Sequence, residues 1–131
     1  RNIVVLNREL TSITDAYAMT KVLHQVFGRD TFSLIANAVA DEREGDRIFH
    51  HVDGICRRFL GFPLDYLGAV CRDEAVPRSI LRQEPLVIAE PASKTAAGFA
   101  RIAGAVARWG GQSPRSQTAA QPEQAARGTL H

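Results

Sequence analysis

The sequence predicts an α/β fold with a parallel sheet between layers of helices, a three-layer α/β/α arrangement. Three observations predict it. Short apolar runs rich in β-branched residues recur at residues 3–6, 32–39 and 64–70, and stretches with apolar residues at three-to-four spacing separate them. Each run also ends in polar residues ahead of a helix signal, the alternation that builds parallel sheets through right-handed crossovers. About three to four strands with flanking helices are expected.

The elements follow in order. Ile3, Val4, Val5 and Leu6 form an unbroken apolar run that suits a strand covered on both faces, and a lone half-sheet would leave it poorly covered. Thr11, Ser12 and Thr14 then offer hydroxyl caps, with Ser12-x-x-Asp15 as a capping box. Ile13, Ala16, Tyr17, Leu23, Val26 and Phe27 follow near helical spacing, so a helix runs to about Phe27 and Gly28 closes it. Residues 32–39 form the second strand. Asp41 and Glu44 make a second capping box for a helix whose Ile48, Phe49, Val52, Ile55, Cys56, Phe59 and Leu60 lie on the sheet, and Gly61-Phe62-Pro63 ends it. Residues 64–70 form the third strand, and Asp73-Glu74 opens a short helix through Leu81. Leu86-Val87-Ile88, after Glu84-Pro85, reads as a short strand or a buried extended segment. A last helix spans residues 94–108 on a stripe of Phe99, Ile102, Ala103 and Val106. Residues 1–109 thus form one domain. Residues 110–131, rich in Ser, Gln, Pro, Ala and Arg, are expected to form a disordered tail.

Composition removes several function classes. The 131 residues are 45% hydrophobic, enough for one core, and 16 basic against 14 acidic residues leave a net charge of only +2, without a basic stripe for nucleic acid. Cys56 and Cys71 form no CxxC pair and read as buried free thiols of a reducing, cytoplasmic compartment. There is no apolar run long enough to span a bilayer and no signal peptide. The chain opens without methionine almost directly into an apolar run, as expected of a fragment. His24, His50, His51 and Asp53 make no metal site, since adjacent histidines on a helix point about 100° apart. No G-x-S-x-G elbow occurs, so no catalytic residue is assigned. Phe99 to Trp109 has apolar and Arg faces, but a core-packing helix has the same pattern, so membrane contact is unsupported.

In a parallel sheet, ligands bind beyond the carboxyl ends of the strands, which points to Asn7-Arg8-Glu9, Asn37 and Cys71-Arg72-Asp73. An Asn amide offers a donor and an acceptor that match the N6/N7 edge of adenine, and an Asp can accept from an amine or a ribose hydroxyl. Each residue could instead cap a helix or satisfy loop backbone, and spacing alone favours that simpler reading.

The strand exits resemble a known family. The stretch from Val4 through Asn7-Arg8-Glu9-Leu10-Thr11-Ser12-Ile13-Thr14-Asp15-Ala16-Tyr17-Ala18 resembles the MinD/ParA-type ATPases, and its Thr-Ser-Ile-Thr-Asp-Ala-Tyr-Ala form resembles the flagellar-number regulators of the FlhG/FleN type. Leu34-Ile35-Ala36-Asn37-Ala38-Val39 with Glu44-Gly45, Tyr66 to Asp73, and Arg82-Gln83-Glu84-Pro85-Leu86-Val87 continue the likeness, which covers about residues 3–104. The resemblance implies the carboxyl-terminal half of a P-loop NTPase fold. It implies that Asn37 contacts adenine, that Val70, Cys71, Arg72 and Asp73 wrap the base's other side, and that Glu9 and Asp15 lie near a nucleotide-dependent dimer face. Leu10 and Cys71 stand where the family usually has proline, and losing the fixed φ at Cys71 loosens base binding by about 1 kcal/mol.

No G-x-x-x-x-G-K-[ST] or Lys-Gly-Gly loop occurs, so this chain alone is not expected to hydrolyse ATP. The implied parent is an ATP- and Mg-dependent homodimer switch controlling flagellar number and placement. Its implied partners are a flagellar transcription activator and a flagellar signal-recognition-type GTPase, and its place is the cytoplasm, including the inner membrane face or cell pole. The rival readings are a division-site or partitioning ATPase of the same family and a stand-alone interaction module without catalysis. A dinucleotide-dependent oxidoreductase lacks its G-x-G-x-x-G.

Overall fold

Three parallel strands, β1 (Asn2–Leu6), β2 (Phe32–Val39) and β3 (Asp65–Cys71), lie in the order β1-β2-β3 in the computed structural model, which describes residues 1–110. The helices are α1 (Leu10–Phe27), α2 (Glu42–Phe59), α3 (Ala75–Arg82), α4 (Leu86–Ala89) and α5 (Lys94–Gly110). This is the expected parallel α/β arrangement. Helix α5 includes Gly110, and the rest of the expected tail, residues 111–131, lies outside the described residues.

The core lies between the sheet and the layer formed by α1 and α2. Leu6, Phe32, Leu34 and Ala36 from the strands pack with Ala16, Ile48, Val52 and Cys56 from the helices. Helix α5 covers β3 from the other side. A Cβ on Gly68 would point at Ile102 of α5, whereas the side chain of Ala69 points at Gly45 of α2, as successive strand residues must. Gly45 and Gly98 permit these approaches. A Cβ at Gly45 would fall 2.6 Å from the Tyr66 hydroxyl, and one at Gly98 would fall 2.8 Å from the Ala69 carbonyl oxygen. Strand β1 pairs with β2 alone among the described residues, and Ile3 and Val5 remain 44% and 58% exposed. Two-sided cover of this run is therefore not met here, because α5 packs on β3.

Three local expectations change. Ser12 does not cap α1. The helix begins at Leu10, and the Ser12 hydroxyl instead accepts from the Asn7 N–H at 3.0 Å, while Asn7 Oδ1 accepts from Glu9 N–H at 2.9 Å. The chain turn at Asn7 starts the helix early and leaves Asp15 in its second turn. Residues 86–88 form no strand but part of the helical turn α4. The Pro85 carbonyl accepts from Ile88 and Ala89, and Ile88 is 72% exposed. Proline at the head of this segment supplies the φ that starts a helix and has no N–H for a ladder. On α5, the buried face is Thr95, Ala96, Gly98 and Ile102, while Phe99 and Ala103 are exposed. The Asp41 box does form: its carboxylate accepts from Glu44 N–H at 2.8 Å, and Glu44 reaches back to Ala40 N–H. Gly28, at φ 63°, closes α1 as expected.

Candidate functional site

At the exit of β2 the ladder is interrupted. Asn37 is paired with Val70 and Val39 with Cys71, so Ala38 is an extra residue on β2, and its φ of 54° is left-handed. Such a bulge bends a strand end and re-aims its side chains, at a cost of roughly 1–2 kcal/mol for a residue with a Cβ. Arg72 secures it from β3's side, donating its backbone N–H to the Val39 carbonyl at 2.7 Å and a guanidinium N–H to the Ala38 carbonyl at 3.4 Å.

Beside the bulge opens a cavity of about 750 Å³. Asn37, Val70, Cys71, Arg72 and Asp73 all line it, and Val76, Leu86 and Phe99 supply apolar wall. Residues 33 positions apart in sequence, Asn37 and Val70, meet there because parallel crossovers return successive strand ends to one edge. The Asn37 amide is exposed and makes no hydrogen bond to another described residue, which leaves its donor and acceptor free.

The opposite wall is braced. Asp73 Oδ1 accepts from Ala75 N–H and Oδ2 from Lys94 N–H, each at 3.0 Å, which ties the β3 exit to the first turns of α3 and α5. The backbone N–H of Ala75, with help from those of Lys94 and Thr95, holds the Asp73 carboxyl below its ordinary pKa. Both carboxylate oxygens are thus engaged in positioning the turn. The buried Thr95 hydroxyl donates to the Cys71 carbonyl at 2.8 Å. Burial pushes the Cys71 thiol above its usual pKa, so it lines the wall as a neutral group. The sequence does not single out Thr95, and it places Phe99 on the apolar stripe of the last helix rather than on a cavity wall. The only trace of Thr95 is its place two residues after Ser93, whose hydroxyl accepts from Ala96 N–H at the start of α5.

A second cleft of about 370 Å³ adjoins the first, sharing Ala38 and Arg72, and Asn7, Arg8 and Glu9 complete its lining. Arg8 Nε lies 3.4 Å from Glu44 Oε1. Asp15 lies elsewhere, exposed in a groove with Ile3, Val5 and Met19, and forms no cap. Glu9 and Asp15, expected on one face, therefore sit in separate clefts on the β1 and α1 side. Among the described residues no group of three His, Cys, Asp or Glu could hold a metal ion, and no helix is long and apolar enough to cross a membrane. Cys56 and Cys71 are both free and buried.

No family model matches the chain. It is 35% identical over 107 residues to the antiactivator FleN of Pseudomonas aeruginosa, a stretch covering 82% of this chain and 38% of that protein. The resemblance to flagellar-number regulators of the MinD/ParA type is borne out by this match. The chain spans under two fifths of the relative's length.

Proposed function

We propose that this chain, a relative of the FleN antiactivator, forms the adenine-binding side of an ATP-dependent dimerisation switch that regulates flagellar number and placement. The observation that carries this reading is the meeting of Asn37 with residues 70–73 on one cavity beyond the ends of β2 and β3. The Asn37 amide pairs with the N6/N7 edge of the base, donating to N7 and accepting from the N6 amine. Val70, Val76 and Phe99 give the ring an apolar bed, and the turn braced by Asp73 and Thr95 closes its far edge.

The shape and donors of this cavity support a base, while the family's phosphate-binding loop is not among these residues. Because the sequence holds no such loop, neither Mg ligation nor hydrolysis is assigned to this chain. Glu9 and Asp15 serve the homodimer face of the whole protein. The relative's name, antiactivator, supports an activator-directed role; the partners in this reading are a flagellar transcription activator and a flagellar signal-recognition-type GTPase, in the cytoplasm.

The test is titration of the labelled chain with ATP and GTP by NMR. With the family's phosphate loop absent, ATP binds at about millimolar strength, more tightly than GTP. Asn37→Ala loses roughly 1–3 kcal/mol of base contact, about tenfold in ATP affinity. Equal affinity for ATP and GTP, or an unaffected Asn37→Ala chain, overturns the assignment.

A further inference from the structure

The cleft next to the base cavity is given no ligand in this reading, and its chemistry differs from that of its neighbour. Arg8 and Arg72 come from the exits of β1 and β3, yet both line it, together with Asn7, Glu9 and Ala38. Arg8 spends Nε on Glu44, which leaves its terminal amino groups available. Arg72 spends one amino group on a long bond to the Ala38 carbonyl and has no carboxylate within ion-pair distance among the described residues. A guanidinium with spare paired N–H donors is the side chain best shaped for a phosphate oxygen pair. The carboxylate of Glu9 opposes this and lowers the affinity.

Position fixes the ligand class. The base cavity lies at the β2 and β3 exits, while the second cleft lies toward the β1 exit, about one strand spacing or ~5 Å away. Ala38 and Arg72 are common to both, so a molecule seated in the first continues into the second over the bulge. From this geometry we infer that Arg8 and Arg72 form a phosphate clamp, taking the phosphate chain of a nucleotide whose base lies against Asn37. The inference rests on the base-cavity reading for its ligand. It gives this chain a phosphate contact of its own, independent of any glycine-rich loop.

The experiment compares adenosine, AMP and ATP on the full chain by NMR titration without divalent cation, with inorganic triphosphate as competitor. ATP binds roughly tenfold more tightly than adenosine, and inorganic triphosphate displaces ATP but not adenosine. Arg8→Gln weakens ATP by roughly threefold and leaves adenosine unchanged, while Arg72→Gln weakens ATP by roughly tenfold and adenosine by less, since Arg72 also lines the base cavity. Glu9→Gln tightens ATP about threefold, a gain that no unfolding can imitate. If ATP and adenosine bind alike, if neither binds, or if the arginine variants weaken both equally, the clamp is wrong. If Asn37→Ala weakens both ligands while the arginine variants change nothing, the clamp fails and the base site stands. If the arginine variants weaken ATP while Asn37→Ala changes neither ligand, the base reading fails and the clamp stands.

Discussion

Replacing Thr95 with valine isolates a single hydrogen bond at the rim of the base cavity. Thr95 is 2% exposed, and its hydroxyl donates to the Cys71 carbonyl at 2.8 Å, joining α5 to the end of β3. Valine has nearly the same shape, is also β-branched and has a similar helix propensity, so neither cavity nor backbone terms enter. What remains is a buried carbonyl without its partner, a cost of about 1–3 kcal/mol. Burying a methyl in place of a hydroxyl offsets about 0.8 kcal/mol of this. The net expectation is a loss of about 0.2–2 kcal/mol in equilibrium urea unfolding, with an unchanged m-value. Thr95→Ser keeps the donor and loses one methyl, so it costs about 0.8 kcal/mol. The two variants separate at the site: valine frees the turn at residues 70–73 and weakens adenosine binding, while serine leaves it intact. A valine variant as stable as the wild type, or one that binds adenosine normally, would refute the idea that this bond shapes the cavity.

Asp73 gives the acid side of the stability profile. Its carboxyl is held below its ordinary value of 3.8 by the N–H groups of Ala75, Lys94 and Thr95, so the stabilisation is fully present above that pH and lost as pH falls through the lower folded value. Asp73→Asn is accordingly expected to lower the melting temperature at pH 6 but to approach the wild type as pH falls below the ordinary value of 3.8, with Glu90, depressed by Arg78, supplying a residual acid dependence. Parallel melting curves at every pH would show that the Asp73 contacts are energetically silent. For Asp15, exposed and forming no cap, the expected effect lies in association: in a longer polypeptide that carries the phosphate-binding loop, Asp15→Ala weakens ATP-dependent dimerisation more than ATP binding. Light scattering with ATP that shows undiminished dimer would remove Asp15 from that interface.

The sequence made the strands legible because their β-branched runs ended in polar residues, and it made the long helices legible because Ile48, Val52 and Cys56 repeat at helical spacing. It misled where composition is shared between states. Leu86-Val87-Ile88 has the residues of a strand, and only the effect of Pro85 on the backbone turns it into a helical turn. Thr11, Ser12 and Thr14 offered three hydroxyls for one cap, and the side chain of Asn7 decided against all of them. At the site, Asn37 and residues 70–73 were readable as strand exits. Thr95 was not, because its partner is 24 residues away and nothing local marks a hydroxyl aimed at a distant carbonyl. The left-handed Ala38 was equally silent, since alanine is not a residue that announces positive φ.

That bulge also explains why one edge of the sheet is stiff and the other exposed. Holding Ala38 left-handed requires neighbours that over-determine it, and they come from the β3 side: two donors of Arg72, the Asp73 carboxylate across α3 and α5, and the Thr95 hydroxyl. The cavity wall is therefore braced by the chain's own hydrogen bonds, which would lower the ordering cost for the proposed base ligand. The β1 side is built in the opposite way. Ile3, Val5, Met19, Val22 and Val26 are more than half exposed or close to it, Asp15 shares a groove with Ile3, Val5 and Met19, and Glu9 lies in the neighbouring cleft, neither carboxylate having a cap or ion pair among the described residues. On the proposed reading, a braced wall for a base and an adjoining surface that keeps its apolar and acidic groups available are the two halves that a nucleotide-dependent association needs. In this chain they meet at the cleft between Arg8 and Arg72.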